Sequence, residues 1–418
     1  MPHTAELIAV GTELLLGSIA NTDAQEISKE LAALGINVYY HTVVGDNPQR
    51  LRSAVEIARS RADIIITTGG LGPTCDDLTK NVLAECFGRQ LLFHEPSARR
   101  IQAYFAKAYP EREMTENNLQ QAMLPEGCRV LDNDWGTAPG CAWEQEGTTV
   151  IMLPGPPREC HAMLKYRVVP YLRGDSQGEI LSRTLCLFGI GESAMEAKLR
   201  EQMLRMENPT LAPYAKEGST ELRITAKADT QAECEALIAP VEAKLREIFG
   251  DLIYGADVKD LAQAAGNLLL EHNVTLATAE SCTGGMIAAR ITDLPGISAV
   301  FRGGVVCYTN EVKHSALGVP QEMLEEHGAV SREVCAVLAQ GARAKLGADL
   351  GLSVTGVAGP DPDDRSNPVG LIYVGLADEN HTWVRTLHLS YSRGRNRNMA
   401  CHHGFDMVRR YLTGLDIE

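Results

Sequence analysis

The sequence of 418 residues is acidic, with 54 Asp and Glu against 39 Lys and Arg, a net charge of −15 and 44% hydrophobic residues. This charge argues against a broad binding surface for nucleic acid or for an anionic membrane, and the absence of any run of about 18 apolar residues argues against a membrane-spanning helix. At roughly 100–200 residues per domain, we expect two to four domains.

The N-terminal part of the chain alternates between apolar strands and amphipathic helices. Strands are predicted at residues 8–11, 36–44, 63–68 and 148–152, and helices at residues 24–34, at residues 51–58 and in a segment that ends at Cys86. Such alternation predicts an α/β fold with a mostly parallel sheet and helices on both faces. Ligands in these sheets bind at the carboxyl ends of the strands.

Three loops at predicted strand ends, around Glu13, Asp46 and Asp77 in chain order, carry acids or glycines. The third loop, residues 69–77, is neither a Walker A loop nor a G-x-G-x-x-G loop. Its carboxylates, with that of the second loop, can ligate a divalent cation that in turn binds phosphate oxygens. The alternative is structural, with one acid forming a turn and two acids capping a helix. The candidate nucleotide and metal residues are Asp46, Gly70, Gly72, Asp76 and Asp77.

Three motifs of this region, GGLGPTCDD at 69–77, APG at 138–140 and PGPP at 154–157, resemble the molybdopterin-binding fold as it occurs in the CinA (competence/damage-inducible protein A) family. The resemblance implies a three-layer domain over residues 1–172, and some family members hydrolyse ADP-ribose with a divalent metal. It implies that Asp46 and Asp77 lie at the phosphate or metal site. Asp76 stands where molybdopterin enzymes commonly have arginine, which argues against molybdopterin chemistry.

A charged segment at 173–178 is the first predicted linker, and a small α+β module follows it. Strands at 180–188, 210–214 and 222–226 and helices from 191 and over 231–249 give the order strand-helix-strand-strand-helix. This module, predicted at 179–253, resembles the KH-type middle domain of the same family. Its turn at 189–192 is not the G-x-x-G loop that clamps nucleic acid, so we interpret it as a spacer or dimer element.

The last domain is predicted at 257–418 and again alternates strands with helices. Strands are expected at 274–278, 301–308, 350–354, 371–376 and 382–389, and helices at 261–269, 286–291, 331–346 and after Arg397. Loops that begin at Ala279, Tyr308 and Thr355 all follow apolar strands. These loops therefore share one edge of the expected sheet.

Those three loops contain the residue types of a serine hydrolase with a lysine base. A serine is a weak nucleophile until a base removes its proton, and a lysine can be that base when burial lowers its pKa. Free amides near Thr283, Gly284 and Gly356 would bind an oxyanion or a phosphate. Two alternatives stay open: Ser281 caps a helix while Lys313 is a solvated helix residue, or the neighbouring thiol Cys282 is the nucleophile. No G-x-S-x-G elbow is present, which argues against an ordinary α/β-hydrolase.

The segments 278–285, 308–313, 355–360 and 368–370 resemble the C-terminal domain of the CinA family, the nicotinamide mononucleotide (NMN) amidohydrolase domain. The resemblance implies conversion of NMN to nicotinate mononucleotide and ammonia without a cofactor. It implies Ser281 as nucleophile, Lys313 as base and Tyr308 as a hydrogen-bonding assistant. The implied substrate-binding residues are Thr283, Gly284, Gly285, Asn310, Thr355, Gly356, Arg395 and Arg397. One departure is the loop Asp361 to Asp364, where Pro and Asp replace two glycines of the family pattern.

The competing interpretations are a non-catalytic binding protein of competence or DNA-damage responses and a degenerate enzyme with an inactive 361–364 loop. The expected partners are small nucleotides, NMN and in the N-terminal domain ADP-ribose, with no membrane and no nucleic acid. We expect a homodimer. The eleven scattered cysteines include no C-x-x-C pair, which is typical of a reducing compartment, and we expect a cytoplasmic location.

Overall fold

The computed structural model describes residues 3–111, 113–174 and 179–417, so the predicted linker lies outside the described residues at 175–178. The chain divides into two compact units. One runs to Leu181 and includes Ala228–Gln231, and the other contains Ser182–Lys227 and the chain from Ala232 onward. Among the described residues, no helix combines the length and the apolar character that crossing a bilayer requires.

The first unit is built on a six-stranded sheet. Its elements are β1 (Thr4–Val10), α1 (Thr12–Leu15), α2 (Thr22–Ala33), β2 (Asn37–Val44), α3 (Pro48–Arg59), β3 (Ile64–Thr68), α4 (Thr79–Cys86), β4 (Leu91–Phe93), α5 (Glu95–Ala108), β5 (Met123–Pro125), β6 (Arg129–Leu131), β7 (Gly140–Gln145), β8 (Thr148–Leu153), α6 (Pro157–Met163) and α7 (Val169–Arg173). The strand order is β2-β1-β3-β8-β7-β6, and β4 pairs separately with β5.

Apolar side chains of α2 and α6 cover one face of this sheet, and those of α3 and α4 cover the other. The predicted three-layer α/β architecture is therefore confirmed. The first four strands in the order are mutually parallel, β7 pairs antiparallel with β8, and β6 pairs antiparallel with β7. The sequence analysis predicted neither of these two strands, since β6 has only three residues and β7 begins at a glycine.

The middle module contains β9 (Glu179–Leu187), α8 (Glu192–Arg205), β10 (Thr210–Lys216), β11 (Ser219–Ala228), α9 (Gln231–Phe249) and β12 (Ile253–Ala256). Its sheet has the order β10-β11-β9-β12. The predicted strand-helix-strand-strand-helix order is confirmed. The additional strand β12 was not predicted, since four residues with one glycine carry little periodic signal.

The C-terminal domain is a second three-layer α/β structure. Its elements are α10 (Leu261–His272), β13 (Leu276–Glu280), α11 (Met286–Thr292), β14 (Phe301–Val306), α12 (Asn310–Leu317), α13 (Gln321–His327), α14 (Arg332–Leu346), β15 (Leu350–Gly356), β16 (Leu371–Ala377), β17 (Thr382–His388) and α15 (Arg393–Leu412). The sheet order is β14-β13-β15-β16-β17; the first three strands are mutually parallel, β16 pairs antiparallel with β15, and β17 pairs antiparallel with β16. Helices α10, α11 and α15 pack on one face and α12, α13 and α14 on the other.

Two details differ from the sequence analysis. The last helix begins at Arg393 and not after Arg397, so the arginine-rich segment is helical. The segment after β14 forms α12, which Thr309 caps by accepting a hydrogen bond from the amide of Val312. Since β14, β13 and β15 are parallel neighbours, the loops that follow them meet at one edge of the sheet.

Candidate active site

Ser281 and Lys313 meet at this edge. Ser281 directly follows β13, and its amide donates a hydrogen bond of 2.9 Å to the carbonyl of Val354. Lys313 lies in α12, and its Nζ is 3.3 Å from Ser281 Oγ. A hydroxyl and an amine at hydrogen-bond distance are the arrangement that a serine nucleophile with a lysine base requires.

The side chain of Lys313 is almost completely buried, with 1% of its surface exposed. Its Nζ donates to the carbonyls of Cys307 at 2.8 Å and Tyr308 at 3.2 Å. Burial lowers the pKa of Lys313 below its ordinary value, because removal from water penalises the charged ammonium. The structural alternative described Lys313 as a solvated helix residue. Lys313 does lie in a helix, but its side chain is buried and not solvated.

A cavity of about 450 Å³ opens over Ser281 and Lys313. This volume falls within the roughly 300–1,000 Å³ of typical small-molecule sites. The predicted site residues in its lining are Ser281, Tyr308, Asn310, Lys313, Thr355 and Gly356. One edge of the sheet therefore brings together the two proposed reacting groups and part of the predicted substrate site.

Five predicted substrate-binding residues are not part of the cavity lining: Thr283, Gly284, Gly285, Arg395 and Arg397. The amide of Gly284 donates to the Ser281 carbonyl at 3.1 Å, and the amide of Gly285 donates to the Glu280 carboxylate at 3.0 Å. These two amides are already used and are not free to bind an oxyanion, whereas the amide of Thr283 has no backbone acceptor among the described residues. The guanidinium of Arg395 lies over the ring of Tyr391, 4.0 Å from its centroid.

Two arginines that the sequence analysis missed, Arg365 and Arg393, also line the cavity, and Arg393 is the one that reaches Tyr308. Its guanidinium donates to the Tyr308 hydroxyl at 3.4 Å and also to the carbonyl of Gly359. The sequence did contain a signal for the start of this helix. Ser392 is a residue type that favours the helix N-cap, and placing the N-cap there predicts that the last helix begins at Arg393.

Cys282, the rival nucleophile, also lines the cavity but is only 7% exposed. Burial raises the pKa of its thiol to about 12. Since the thiolate is the reactive form of cysteine, a thiol held in the protonated state is a poor nucleophile.

Tyr308 lies beyond the end of β14 and is 59% exposed, so its hydroxyl is available to a ligand.

The loop that departs from the family pattern forms one wall of the cavity. Asp363 accepts hydrogen bonds from the amides of Arg365 (3.1 Å) and Asn367 (2.8 Å) and from the side chain of Asn367 (2.9 Å). The guanidinium of Arg365 donates to the carbonyls of Leu324, Glu325 and Glu326 at the end of α13. This segment is therefore internally hydrogen-bonded and attached to a neighbouring helix.

The acidic loops of the first unit follow β2 and β3, which flank β1. Asp46 accepts from the amide and hydroxyl of Thr12 at 3.0 and 2.7 Å. Asp77 accepts from the amide of Thr74 at 2.8 Å and from its hydroxyl. In each pair both bonds use Oδ2, so neither contact occupies Oδ1.

The glycines of this loop are required by close packing. A Cβ on Gly70 would lie 2.1 Å from Thr79 Oγ1, and a Cβ on Gly72 would lie 2.5 Å from Asp77 Oδ2. Asp76 is exposed, and a hydrogen bond with Thr74 lowers its pKa. Within the described ranges, no three His, Cys, Asp or Glu side chains are grouped so as to hold a metal ion. Asp46 and Asp77 therefore do not form a complete metal site without oxygens from a ligand.

Two curated relatives cover nearly the whole chain. A CinA-like protein of Dictyoglomus turgidum is 49% identical over 410 residues, 98% of this chain and 99% of its own length. A putative competence-damage inducible protein of Acetivibrio thermocellus is 49% identical over 411 residues, with the same coverage. The chain belongs to the CinA family.

Three family models match in succession, as this CinA assignment requires. They are a probable molybdopterin binding domain at residues 6–174, the damage-inducible protein CinA KH domain at 182–255 and the CinA C-terminal domain at 258–412. A crystal structure of the protein CinA with unknown function from Thermoplasma acidophilum is 36% identical, covering 39% of this chain and 95% of that one, with a TM-score of 0.36.

Proposed function

We propose that the C-terminal domain is an amidohydrolase that converts NMN to nicotinate mononucleotide and ammonia. The observation that carries this proposal is the 3.3 Å approach of the buried Lys313 Nζ to Ser281 Oγ beneath a cavity of about 450 Å³. The substrate assignment comes from the family resemblance of the loops that surround these residues. The chemistry, amide hydrolysis through an acyl-enzyme, comes from the residue types and their distance.

In the first half-reaction, neutral Lys313 removes the proton of Ser281 Oγ, and Oγ attacks the carboxamide carbon. The carbonyl oxygen becomes an oxyanion in the tetrahedral intermediate. Lys313 then returns its proton to the departing nitrogen, which leaves as ammonia, and the acyl-enzyme remains on Ser281. In the second half-reaction Lys313 activates water, and the C–O bond to Ser281 breaks to release the carboxylic acid.

The best candidates for oxyanion donors are the amides of Ala358 and Gly359, which line the cavity. Neither amide has an acceptor among the described residues. The carbonyl of Ala358 accepts from buried Asn396 at 3.1 Å, and that of Val357 accepts from the amide of Gly370 at 2.7 Å. Because C=O and N–H of a trans peptide point in opposite directions, both donors face away from Asn396 and Gly370. Fixed donors of this kind stabilise charge that develops during reaction.

For the substrate phosphate we propose Arg393 as the main contact, in place of Arg395 and Arg397. Arg393 lines the cavity and donates to the exposed hydroxyl of Tyr308. A planar guanidinium suits bidentate binding of phosphate. In this arrangement Tyr308 acts as a hydrogen-bonding assistant that holds Arg393 at the cavity mouth.

The proposal is tested by incubating the full-length protein with NMN and measuring ammonia together with nicotinate mononucleotide. Equal amounts of both products, with no release of nicotinamide, are the expected result. Release of nicotinamide would show glycosidic cleavage instead of amide hydrolysis. If NMN is not turned over at all, NMN is not the substrate of this domain.

We also propose that the N-terminal domain hydrolyses ADP-ribose with a divalent metal. This is supported by the Oδ1 atoms of Asp46 and Asp77, which accept no hydrogen bond among the described residues, and by the two close-packed glycines of the loop after β3, Gly70 and Gly72. Those oxygens would hold the metal together with phosphate oxygens, and the metal would neutralise phosphate charge. AMP release from ADP-ribose with magnesium or manganese, abolished by EDTA, is the test.

The names of the relatives favour a second function, a binding protein of competence or DNA-damage responses. A DNA titration at two salt concentrations separates it from the enzyme, since phosphate contacts give a steep salt dependence. We expect no binding, because the net charge is −15. The homodimer and the cytoplasmic location stay predictions.

A further inference from the structure

We infer that Glu280 is the positioning residue of the nucleophile. Glu280 is the last residue of β13 and immediately precedes Ser281, yet its side chain is only 1% exposed. Its carboxylate reaches across the following turn to the start of α11. This inference rests on the proposed role of Ser281 as nucleophile.

Three backbone amides hold the carboxylate of Glu280. Oε2 accepts from Gly285 and Ile287, each at 3.0 Å, and Oε1 accepts from Ala288 at 2.8 Å. Within the described residues no Lys, Arg or His forms an ion pair with it. The amides and the positive end of the α11 dipole therefore stabilise a buried negative charge.

Arg397 holds the opposite polar groups of the same turn. Its guanidinium donates to the carbonyl of Cys282 at 2.9 Å and to that of Thr283 at 2.7 Å. Arg397 thus binds two carbonyls of the five-residue turn 281–285, while Glu280 binds the last amide of that turn and two amides of the first turn of α11. Two glycines in this turn have positive φ, 61° at Gly284 and 93° at Gly285, so the turn has little intrinsic rigidity and depends on these contacts.

An ordinary helix cap is local and uses a short side chain at the residue before the helix. Here the residue before α11 is Gly285, which has no side chain to cap with. The cap comes instead from a glutamate five residues earlier, on the far side of the nucleophile. The same contact therefore sets the end of β13, the start of α11 and the direction of Ser281 between them.

Glu280 also decides where an anion can bind. The start of a helix after a glycine turn is a common phosphate or oxyanion site. Here the carboxylate already occupies the amides of Gly285, Ile287 and Ala288, so the start of α11 is not open to an oxyanion. The negative charge of Glu280 would repel a second anion from α11.

The test compares Glu280→Gln with wild type by two readouts. The first is the rate at which Ser281 Oγ displaces fluoride from a fluorophosphonate probe, with the proton passing to Lys313; this needs no assumption about the natural substrate. The second is the dissociation constant of NMN, measured calorimetrically in a Ser281→Ala background. We expect labelling to slow by roughly 100-fold, the effect of a displacement near 1 Å at a reacting atom, while the NMN dissociation constant stays within about threefold of the starting value.

The matched control is Glu6→Gln, because Glu6 is also completely buried but lies in the other unit, paired with Arg61. It should leave labelling unchanged. If Glu280→Gln does not fold, the labelling rate of Arg397→Lys tests the inference instead. This substitution weakens the hydrogen bonds to the carbonyls of the same turn and should slow labelling in the same way. Wild-type labelling rates in both variants would overturn the inference. If the labelling rate depends on Glu280 but the protein does not hydrolyse NMN, the positioning role of Glu280 stands and only the assignment of NMN as substrate is rejected.

Discussion

Lys313 Nζ lies 3.3 Å from Ser281 Oγ although 32 positions separate the two residues in the sequence. One follows β13 and the other follows β14, its parallel neighbour. The parallel pairing of β13 and β14 therefore brings the two residues together, and neither residue is itself part of a strand. This makes their contributions to hydrolysis separable by single substitutions.

Ser281→Ala should reduce ammonia release from NMN by about three orders of magnitude or more, because no other nucleophile is activated. Cys282→Ala should retain most of the activity, since the raised pKa of that thiol keeps it protonated. The measurement is steady-state ammonia production by the full-length variants. The reverse pattern would move the nucleophile to Cys282.

Lys313→Arg should lower kcat by roughly 100- to 10,000-fold, the usual contribution of a general base, because a guanidinium stays protonated. In wild type, burial lowers the pKa of Lys313 from 10.5. The neutral, active form therefore grows as pH rises, and kcat/KM should increase to a plateau with a midpoint below 10.5. A profile that is flat from pH 6 to 10 would argue against Lys313 as the base.

Arg393→Ala should raise KM for NMN by about 10- to 100-fold, the loss of hydrogen bonds to a charged group worth roughly 1.5–3 kcal/mol. Arg395→Ala is the matched control, because Arg395 is two positions away in the same helix but contacts Tyr391 outside the cavity lining. Equal effects of the two substitutions would show that the phosphate is held elsewhere.

His403 should make folding stability depend on pH. Burial, and secondly the charge of Arg385, lower the pKa of His403 to about 4 from 6.5, while Asp406 acts in the opposite direction. Between these values the unfolded chain binds the additional proton, so stability falls as pH drops from 6.5 towards 4, by up to about 3 kcal/mol. Urea unfolding at pH 7.5 and pH 5 measures the loss, and His403→Gln should make it smaller.

Asp77→Asn should abolish metal-dependent hydrolysis of ADP-ribose while leaving NMN deamidation intact, since the two sites lie in different units. Ser281→Ala should give the opposite result. Assaying both activities on both variants separates loss of a site from loss of the fold. Persistent metal-dependent turnover in Asp77→Asn would remove Asp77 from the assignment.

The sequence analysis anticipated that Ser281 and Lys313 lie at one sheet edge because strand ends are predictable: apolar runs before Ser281 and Tyr308 indicated β13 and β14, and parallel strands bring their ends together. It did not find Arg393, because the choice among the clustered arginines depends on where α15 begins. It could not find the role of Glu280 either. A glutamate in an apolar strand gives no sign of its acceptors, which are set by the turn that follows.

The wall built from Asp363 and Arg365 has a consequence for ligand entry. Its hydrogen bonds within the loop and to the carbonyls of α13 hold this side of the cavity in place, so ligand binding here needs no folding of a loose segment and little further loss of conformational entropy. Pro362, which stands where the family pattern has a flexible glycine, adds to this rigidity through its fixed φ.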